Sequence, residues 1–300
     1  MRLVVSPIRA QVRPAHHGHR SLIAGWSFVL AVRLAFYAWR PNHPQDSDQL
    51  YYAAIHLLRG ENPYPIIHQW FPWPLYCPLP AILLSVPFTL LPVGISHVVW
   101  DVAIGWAFAW ALWQTSGSAG LLCLASGAYL FAMRSGQTTP LLVAASLIPT
   151  AGFLLTVKPN VGVALGLARW RFQPPRLAIG SAAAILMLSF LILPRWILPR
   201  WPVDWWVAFH QRSAHLRPPI LRPYGWLLLA ALLRWRTAEG RLLFLLACIP
   251  QNPLPHELVP LALIPRRHVE SAVYVAGTWV VLLVAAVGST PITRWLAWPR

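Results

Sequence analysis

Residues 46–80 read DSDQLYYAAIHLLRGENPYPIIHQWFPWPLYCPLP, and their setting decides what kind of molecule this is. The stretch follows an apolar run at 21–39 and leads into another at 79–92. It carries two closely spaced carboxylates, Asp46 and Asp48, in a chain with eight acidic residues against 24 lysines and arginines. A carboxylate pair beside membrane-length apolar runs, followed by a helical pattern and an aromatic, Pro-rich loop, predicts a working loop rather than a plain connector.

Within the stretch, Leu50, Tyr51, Ala54, Leu57 and Leu58 fall on one helical face, while Gln49, His56 and Arg59 fall elsewhere. This pattern predicts a short amphipathic helix lying on the membrane surface. Gly60 stops it, and Asn62-Pro63 prevents its continuation. Asp46 with Gln49 three positions on resembles a capping box, and Asp48 reads as a first-turn carboxylate favoured by the helix dipole. A capping role and a chemical role are compatible, because a cap holds its carboxylate rigidly. The run Trp70-Phe71-Pro72-Trp73-Pro74-Leu75-Tyr76 reads as an interfacial aromatic belt, or as a platform for a sugar face or a lipid tail.

Outside this loop the chain is 57% hydrophobic and only 11% charged, where a soluble domain carries about a quarter charged residues. That composition predicts an all-α polytopic membrane protein. Candidate spans are 21–39, 79–92, 93–113, 118–133, 137–149, 150–168, 177–194, 221–233, 241–250, 256–265 and 269–288. Several are short, so the bundle is set at about nine to twelve transmembrane helices, some of them half-helices or re-entrant. No internal repeat is visible, which disfavours an inverted-repeat transporter. The positive charge is almost all arginine, with Lys158 the one lysine. The arginines sit in short loops between apolar runs, which speaks for topology and membrane lipid as partners and against nucleic acid. Cys77, Cys123 and Cys248 show no paired spacing, so neither a disulfide framework nor a metal site is expected.

The organisation expected is a basic cytoplasmic segment at 1–20, one transmembrane domain at 21–288 and a tail at 289–300. The first run reads as an anchor rather than a cleaved signal. With the N-terminus inside, the positive-inside rule puts the 46–80 loop, a basic Trp-rich loop at 195–222 and the turn at 250–257 on the extracytoplasmic face of the plasma membrane. The same count leaves Arg134 and Gln137 near the inner face, at odds with an outer site unless a segment is re-entrant.

Taken in order, Asp46, Tyr51-Ala53-Ala54, Gly60, Pro63-Tyr64, Tyr76-Cys77-Pro78, Gly136-Gln137, Lys158-Pro159 and the segment NPLPHELVPLALIP with His256 resemble glycosyltransferase family 87. These are polyprenyl-phosphate-mannose-dependent mannosyltransferases of the GT-C fold. The resemblance covers residues 46–160 and, more loosely, 250–265. Cys77 stands where the family usually has proline, the spacing around His256 is compressed, and the chain is shorter than typical members.

The resemblance implies an inverting transfer of a hexose, mannose first, from a polyprenyl-phosphate sugar to a lipid-linked or cell-envelope glycan, by a monomer. The acceptor hydroxyl must lose a proton as it attacks, which a carboxylate can take. Asp46 is the first choice as base and Asp48 the second. The departing lipid phosphate needs positive charge or donors. His256, Lys158 and an arginine among Arg195, Arg200, Arg212, Arg217 and Arg222 are candidates, Arg being suited to phosphate oxygens. Tyr51, Tyr64, Tyr76 and Gln137 are the remaining substrate-binding candidates. The donor carries one phosphate, so no metal or other cofactor is expected to be required.

Each assignment has a plainer alternative. Lys158 can snorkel to a membrane edge, His256 can begin a solvated helix, the loop arginines can hold headgroups, and Asp101 inside a span can pair with a neighbour. For the whole chain the competing readings are a lipid or small-molecule transporter or flippase, and a non-catalytic scaffold of the same fold.

Overall fold

The computed structural model describes residues 18–39, 45–71, 74–169, 175–192, 199–213, 216–251 and 254–288. The expected segment 1–17, the tail 289–300, the 195–198 part of the second outer loop with Arg195, the Pro72-Trp73 pair and the Arg212 side chain lie outside the described residues. Among those described, the chain is helical throughout, with one isolated antiparallel bridge between Arg217 and Gln251.

Three helices are long and apolar enough to cross a membrane: α1 (Gly18–Trp39), α5 (Val93–Leu121) and, at the end of the chain, α12 (His268–Gly288). Between them run shorter helices: α2 (Asp46–Leu58), α3 (Pro63–Trp70), α4 (Leu79–Ser85), α6 (Gly127–Arg134), α7 (Thr139–Ala145), α8 (Pro159–Arg169), α9 (Pro175–Met187), α10 (Trp201–Ser213) and α11 (Ala238–Cys248). Segments of 3-10 helix at Pro149–Val157, Gly225–Arg234 and Pro255–Leu263 complete the bundle. Prolines open many of these pieces, at positions where the missing N–H would have no partner in any case. They explain why apolar runs that look continuous in sequence are broken in space. The run at 150–168 is two elements divided at Lys158-Pro159.

Helix α5 carries the core. It packs along α1, where the Trp26 and Trp106 indoles each donate to the other's backbone carbonyl at 3.1 Å. An indole N–H with no water to meet must find such a partner. Phe108 and Leu112 of α5 bury against Val29, Tyr129 and Leu142 in one continuous apolar cluster. At Gly105 a Cβ would stand 2.5 Å from both Tyr129 Oη and Val29 Cγ1, so α1, α5 and α6 meet over a bare backbone. Helix α5 kinks at Gly117 (φ 59°), and a 3-10 turn at Leu122–Ala125 reverses the chain. Helix α6 therefore runs back toward the start of α5. Arg241 of α11 is buried. Its guanidinium donates to the carbonyls of Ala168, Trp235 and Arg236 at 2.8–3.1 Å, closing the C-terminal ends of two neighbouring elements.

Two expectations need correction. The run at 79–92 does not form a span: α4 and the 3-10 turn Val86–Leu90 pack on α2, and Tyr51 Oη donates to the Leu91 carbonyl at 2.8 Å. Nor does α2 lie on a surface with one face exposed. Nine of its 13 residues are buried, whereas Leu58, placed on the apolar face by the pattern, is 61% exposed. The cause is enclosure: α3, α4 and the 86–90 turn wrap α2, and its polar side is met by buried polar partners rather than by water.

Candidate functional site

The N-terminus of α2 is fixed by a cap different from the one the sequence suggests. Gln45 is the N-cap, and the reciprocal box runs between Gln45 and Asp48, with the Gln45 N–H donating to Asp48 Oδ2 at 2.8 Å. The other Asp48 oxygen meets His97 Nε2 of α5, so the Asp48 carboxylate is buried and fully engaged. Gln45 Nε2 in turn donates to Asp101 Oδ2 at 3.2 Å, and that same oxygen lies 2.9 Å from Arg33 Nε of α1. Of the three charges the sequence places inside spans, Arg33, Asp101 and Lys158, the first two pair with each other. A buried pair of this kind adds little net stability but is costly to break. Here it anchors the loop that carries Asp46 to both long helices.

Asp46 occupies the first position of α2, half-buried, with its carboxylate toward Gln137. The Asp46 N–H donates to the Ser135 carbonyl at 2.9 Å. The turn at 135–137 is what allows this approach. Gly136 adopts φ +63°, and a Cβ there would lie 2.3 Å from Ser47 Oγ and 2.9 Å from Gln45 Oε1. Arg134 and Gln137 therefore stand at the Asp46 end of the bundle, not at the opposite one. The conflict left by the loop count disappears because 79–92 does not cross: α5 therefore starts at the Asp46 end, and after the reversal at 122–126 α6 returns to it.

From Gln137 the polar groups continue inward. Thr139, two residues on, accepts from Lys158 Nζ at 3.1 Å, and Lys158 Nζ lies 3.0 Å from Glu257 Oε1. His256 Nε2 is 3.5 Å from the same Glu257 oxygen, and its ring stacks on Phe131. Both His256 and Glu257 are 3% exposed, and His256 Nδ1 and Glu257 Oε2 have no hydrogen-bond partner among the described residues. A cation with 18% of its side chain exposed is thus held at the edge of a buried carboxylate and imidazole. Cys77 lies within electrostatic reach of both Asp46 and Lys158. Its thiol is pushed up to about 12 chiefly by burial, with Lys158 pulling it down and Asp46 pushing it further up.

Beside this cluster an apolar cavity of about 420 Å³ opens between the 149–157 segment, α8 and α9. Pro78, Phe190 and Trp205 line one end, next in sequence or space to Cys77, and Arg169 lines the other. Pro159 and Arg169 both face it, so it extends about 15 Å along α8 at 1.5 Å per residue. Helix α10 closes the near end: Trp205 Nε1 donates to the Tyr76 carbonyl at 3.0 Å, and Asn62 Nδ2 donates to Asp204 Oδ2 at 2.6 Å.

Of the candidate residues, Asp46, Gln137, Lys158 and His256 gather, and Cys77 joins them. Tyr51 and Tyr64 do not face an open site. Both are buried, the Tyr51 hydroxyl is taken by Leu91, and the Tyr64 hydroxyl donates to the Cys77 carbonyl at 3.1 Å while its ring stacks on Trp201. They shape the loop. Tyr76 is half-buried with its carbonyl used by Trp205. Arg217 is exposed, and its carbonyl accepts from Arg222 Nη2 at 3.2 Å, away from the Asp46 contacts. Asp48 is spent on the cap and on His97. Sequence reasoning missed Glu257, His97 and Gln45. Glu257 had a signal, an acid next to a candidate histidine in a chain poor in acids; Gln45 and His97 had none.

No family model, no curated protein and no solved structure matches the chain.

Proposed function

We propose that the chain is a polytopic membrane glycosyltransferase of the GT-C kind. It moves a hexose, mannose by its resemblance to family 87, from a polyprenyl-phosphate sugar to a glycan or glycolipid acceptor outside the plasma membrane. The observation that carries this reading is the convergence of Asp46, Gln137, Lys158 and Glu257 in one cluster beside an apolar cavity that can take part of a lipid tail. The distribution of charge supports an orientation with the Asp46 end outside. Six of the eight acidic residues, Asp46, Asp48, Glu61, Asp101, Asp204 and Glu257, stand at the Asp46 end. Arg169, Arg234, Arg266 and Arg267 gather at the other, the cytoplasmic end under the positive-inside rule.

In the reaction, the acceptor oxygen attacks the anomeric carbon from the face opposite the phosphate. The bond from that carbon to the phosphate oxygen breaks with inversion, and the acceptor proton passes to the Asp46 carboxylate. Gln137, donating to Asp46, holds the carboxylate in place. The phosphate leaves with its negative charge facing Lys158, whose ammonium has three protons and two partners in Thr139 and Glu257. His256 acts through Glu257, keeping it fixed behind the lysine. The charged groups stand at the two ends of the bundle instead of lining a path through it, which favours transfer over transport.

The test is Asp46→Asn, assayed in membranes with radiolabelled polyprenyl-phosphate mannose. Transfer falls by about 10²–10⁴-fold, the usual worth of a positioned base, at unchanged protein level. Wild-type transfer in this variant removes the base assignment. Movement of labelled lipid across vesicles without any sugar transfer by the unaltered protein replaces the enzyme reading by the flippase one.

A further inference from the structure

The end of the bundle opposite Asp46 has excess charge that the proposed reaction does not use. Arg169, Glu239 and Arg266 line one small cleft with Ala168, Ala238 and Leu242. Glu239 is already taken by Arg266, whose Nη1 also donates to the Thr115 carbonyl at 2.6 Å. Glu270 accepts the backbone N–H groups of Arg266 and Arg267 at 2.7 and 3.3 Å, with Arg234 and Arg267 within electrostatic reach. The two acids here are therefore occupied, and Arg169, Arg234, Arg236 and Arg267 have no carboxylate within 4 Å among the described residues. Three of them, Arg234, Arg236 and Arg267, are exposed. Leu232, Leu233 and Trp235, 45%, 89% and 40% exposed, alternate with two of these arginines along the chain.

We propose that this end is a docking site for the headgroups of anionic phospholipids. Phosphate oxygens would sit between Arg169 and Arg266 within reach of Arg234, Arg236 and Arg267, with acyl chains against Leu232, Leu233 and Trp235. Charge complementarity selects the occupant. An acidic peptide would satisfy the arginines but would leave exposed leucines and an indole beside them uncovered, whereas one lipid molecule meets both. Arginine is the suited cation, because its planar fork matches phosphate oxygens in pairs. The site does not depend on the sugar-transfer reading and holds if that reading fails.

The experiment uses the whole purified protein in neutral detergent micelles, with thermal unfolding followed as phosphatidylglycerol is titrated in. Phosphatidylcholine and soluble glycerol phosphate serve as comparison ligands. The unaltered protein is stabilised by phosphatidylglycerol and by neither comparison ligand. Arg267→Gln raises the half-saturating lipid concentration roughly fivefold, and Arg234→Gln, Arg236→Gln and Arg267→Gln together raise it roughly a hundredfold, about a factor of five per arginine near a charged lipid surface. These guanidinium groups make no hydrogen bond among the described residues, so the variants keep the fold, checked by an unchanged melting temperature without lipid. Arg59→Gln, an exposed arginine at the other end, changes the half-saturating concentration by less than twofold. An equal loss in Arg59→Gln, no loss in the triple variant, or equal stabilisation by glycerol phosphate overturns the proposal.

Discussion

Adding one methyl group at Gly136 separates two costs that the structure places at a single residue. The first is conformational: φ +63° is left-handed, and an alanine there costs about 1–2 kcal/mol. The second is steric: the new Cβ would stand 2.3 Å from Ser47 Oγ, and forcing room in a packed region costs typically about 1–3 kcal/mol. Gly60 provides the comparison, since it has φ +74° with nothing within 4 Å, so Gly60→Ala carries the conformational cost alone. Unfolding free energies are measured in mixed micelles for both variants. Gly136→Ala is expected to lose about 2–5 kcal/mol and Gly60→Ala about 1–2. Ser47→Ala should return part of the difference to Gly136→Ala while giving nothing to Gly60→Ala, which a double-mutant cycle reads directly. Sugar transfer should fall in Gly136→Ala more than in Gly60→Ala, because the turn delivers Gln137 to Asp46. Equal destabilisation by the two alanines, with no coupling to Ser47, refutes the close approach of the 135–137 turn to α2.

Two further outcomes follow from the buried charges. Arg33→Met leaves Asp101 buried without its counter-charge and should cost about 3–5 kcal/mol in micelle unfolding; Arg33→Met with Asp101→Asn should recover much of this, and a double variant no better than the single one argues against the pair. The Cys77 thiol, pushed up to about 12 mainly by burial, should react with maleimide at pH 8 roughly a thousandfold more slowly than an ordinary thiol, the rate climbing with pH throughout the accessible range; labelling at an ordinary rate contradicts the burial of the thiol.

Much of the loop was legible in the sequence because its punctuation is local chemistry. Gly60 ends α2 at φ +74°, Asn62 caps α3 by accepting the Tyr64 N–H, and Pro63 takes the first turn of that helix. The order of motifs singled out Asp46, Gln137, Lys158 and His256 one by one, but the loop count set Gln137 apart from Asp46, so their gathering was not legible. What stayed hidden depends on contacts between distant segments. Gln45, a poor N-cap by preference, wins that place over Asp46 because its side chain also reaches Asp101 and accepts from Ser47 at 3.0 Å. Apolar run length cannot tell a span from a half-helix, so the failure of 79–92 to cross, and with it the side on which Gln137 stands, was not readable. Periodicity found one apolar face of α2 but could not show that its polar face would also be enclosed.

Helices of seven to thirteen residues fill the space between α1, α5 and α12, and this constrains how the molecule is made. A seven-residue helix such as α7 leaves more of its peptide groups open than it closes, and hydrocarbon offers them nothing. Such a piece cannot enter lipid alone during synthesis; it needs a protein wall already standing. Arg241 shows the kind of help required, since one side chain from a late element finishes the ends of two earlier ones. Assembly in a membrane would therefore be cooperative, the short pieces settling only against neighbours already in place.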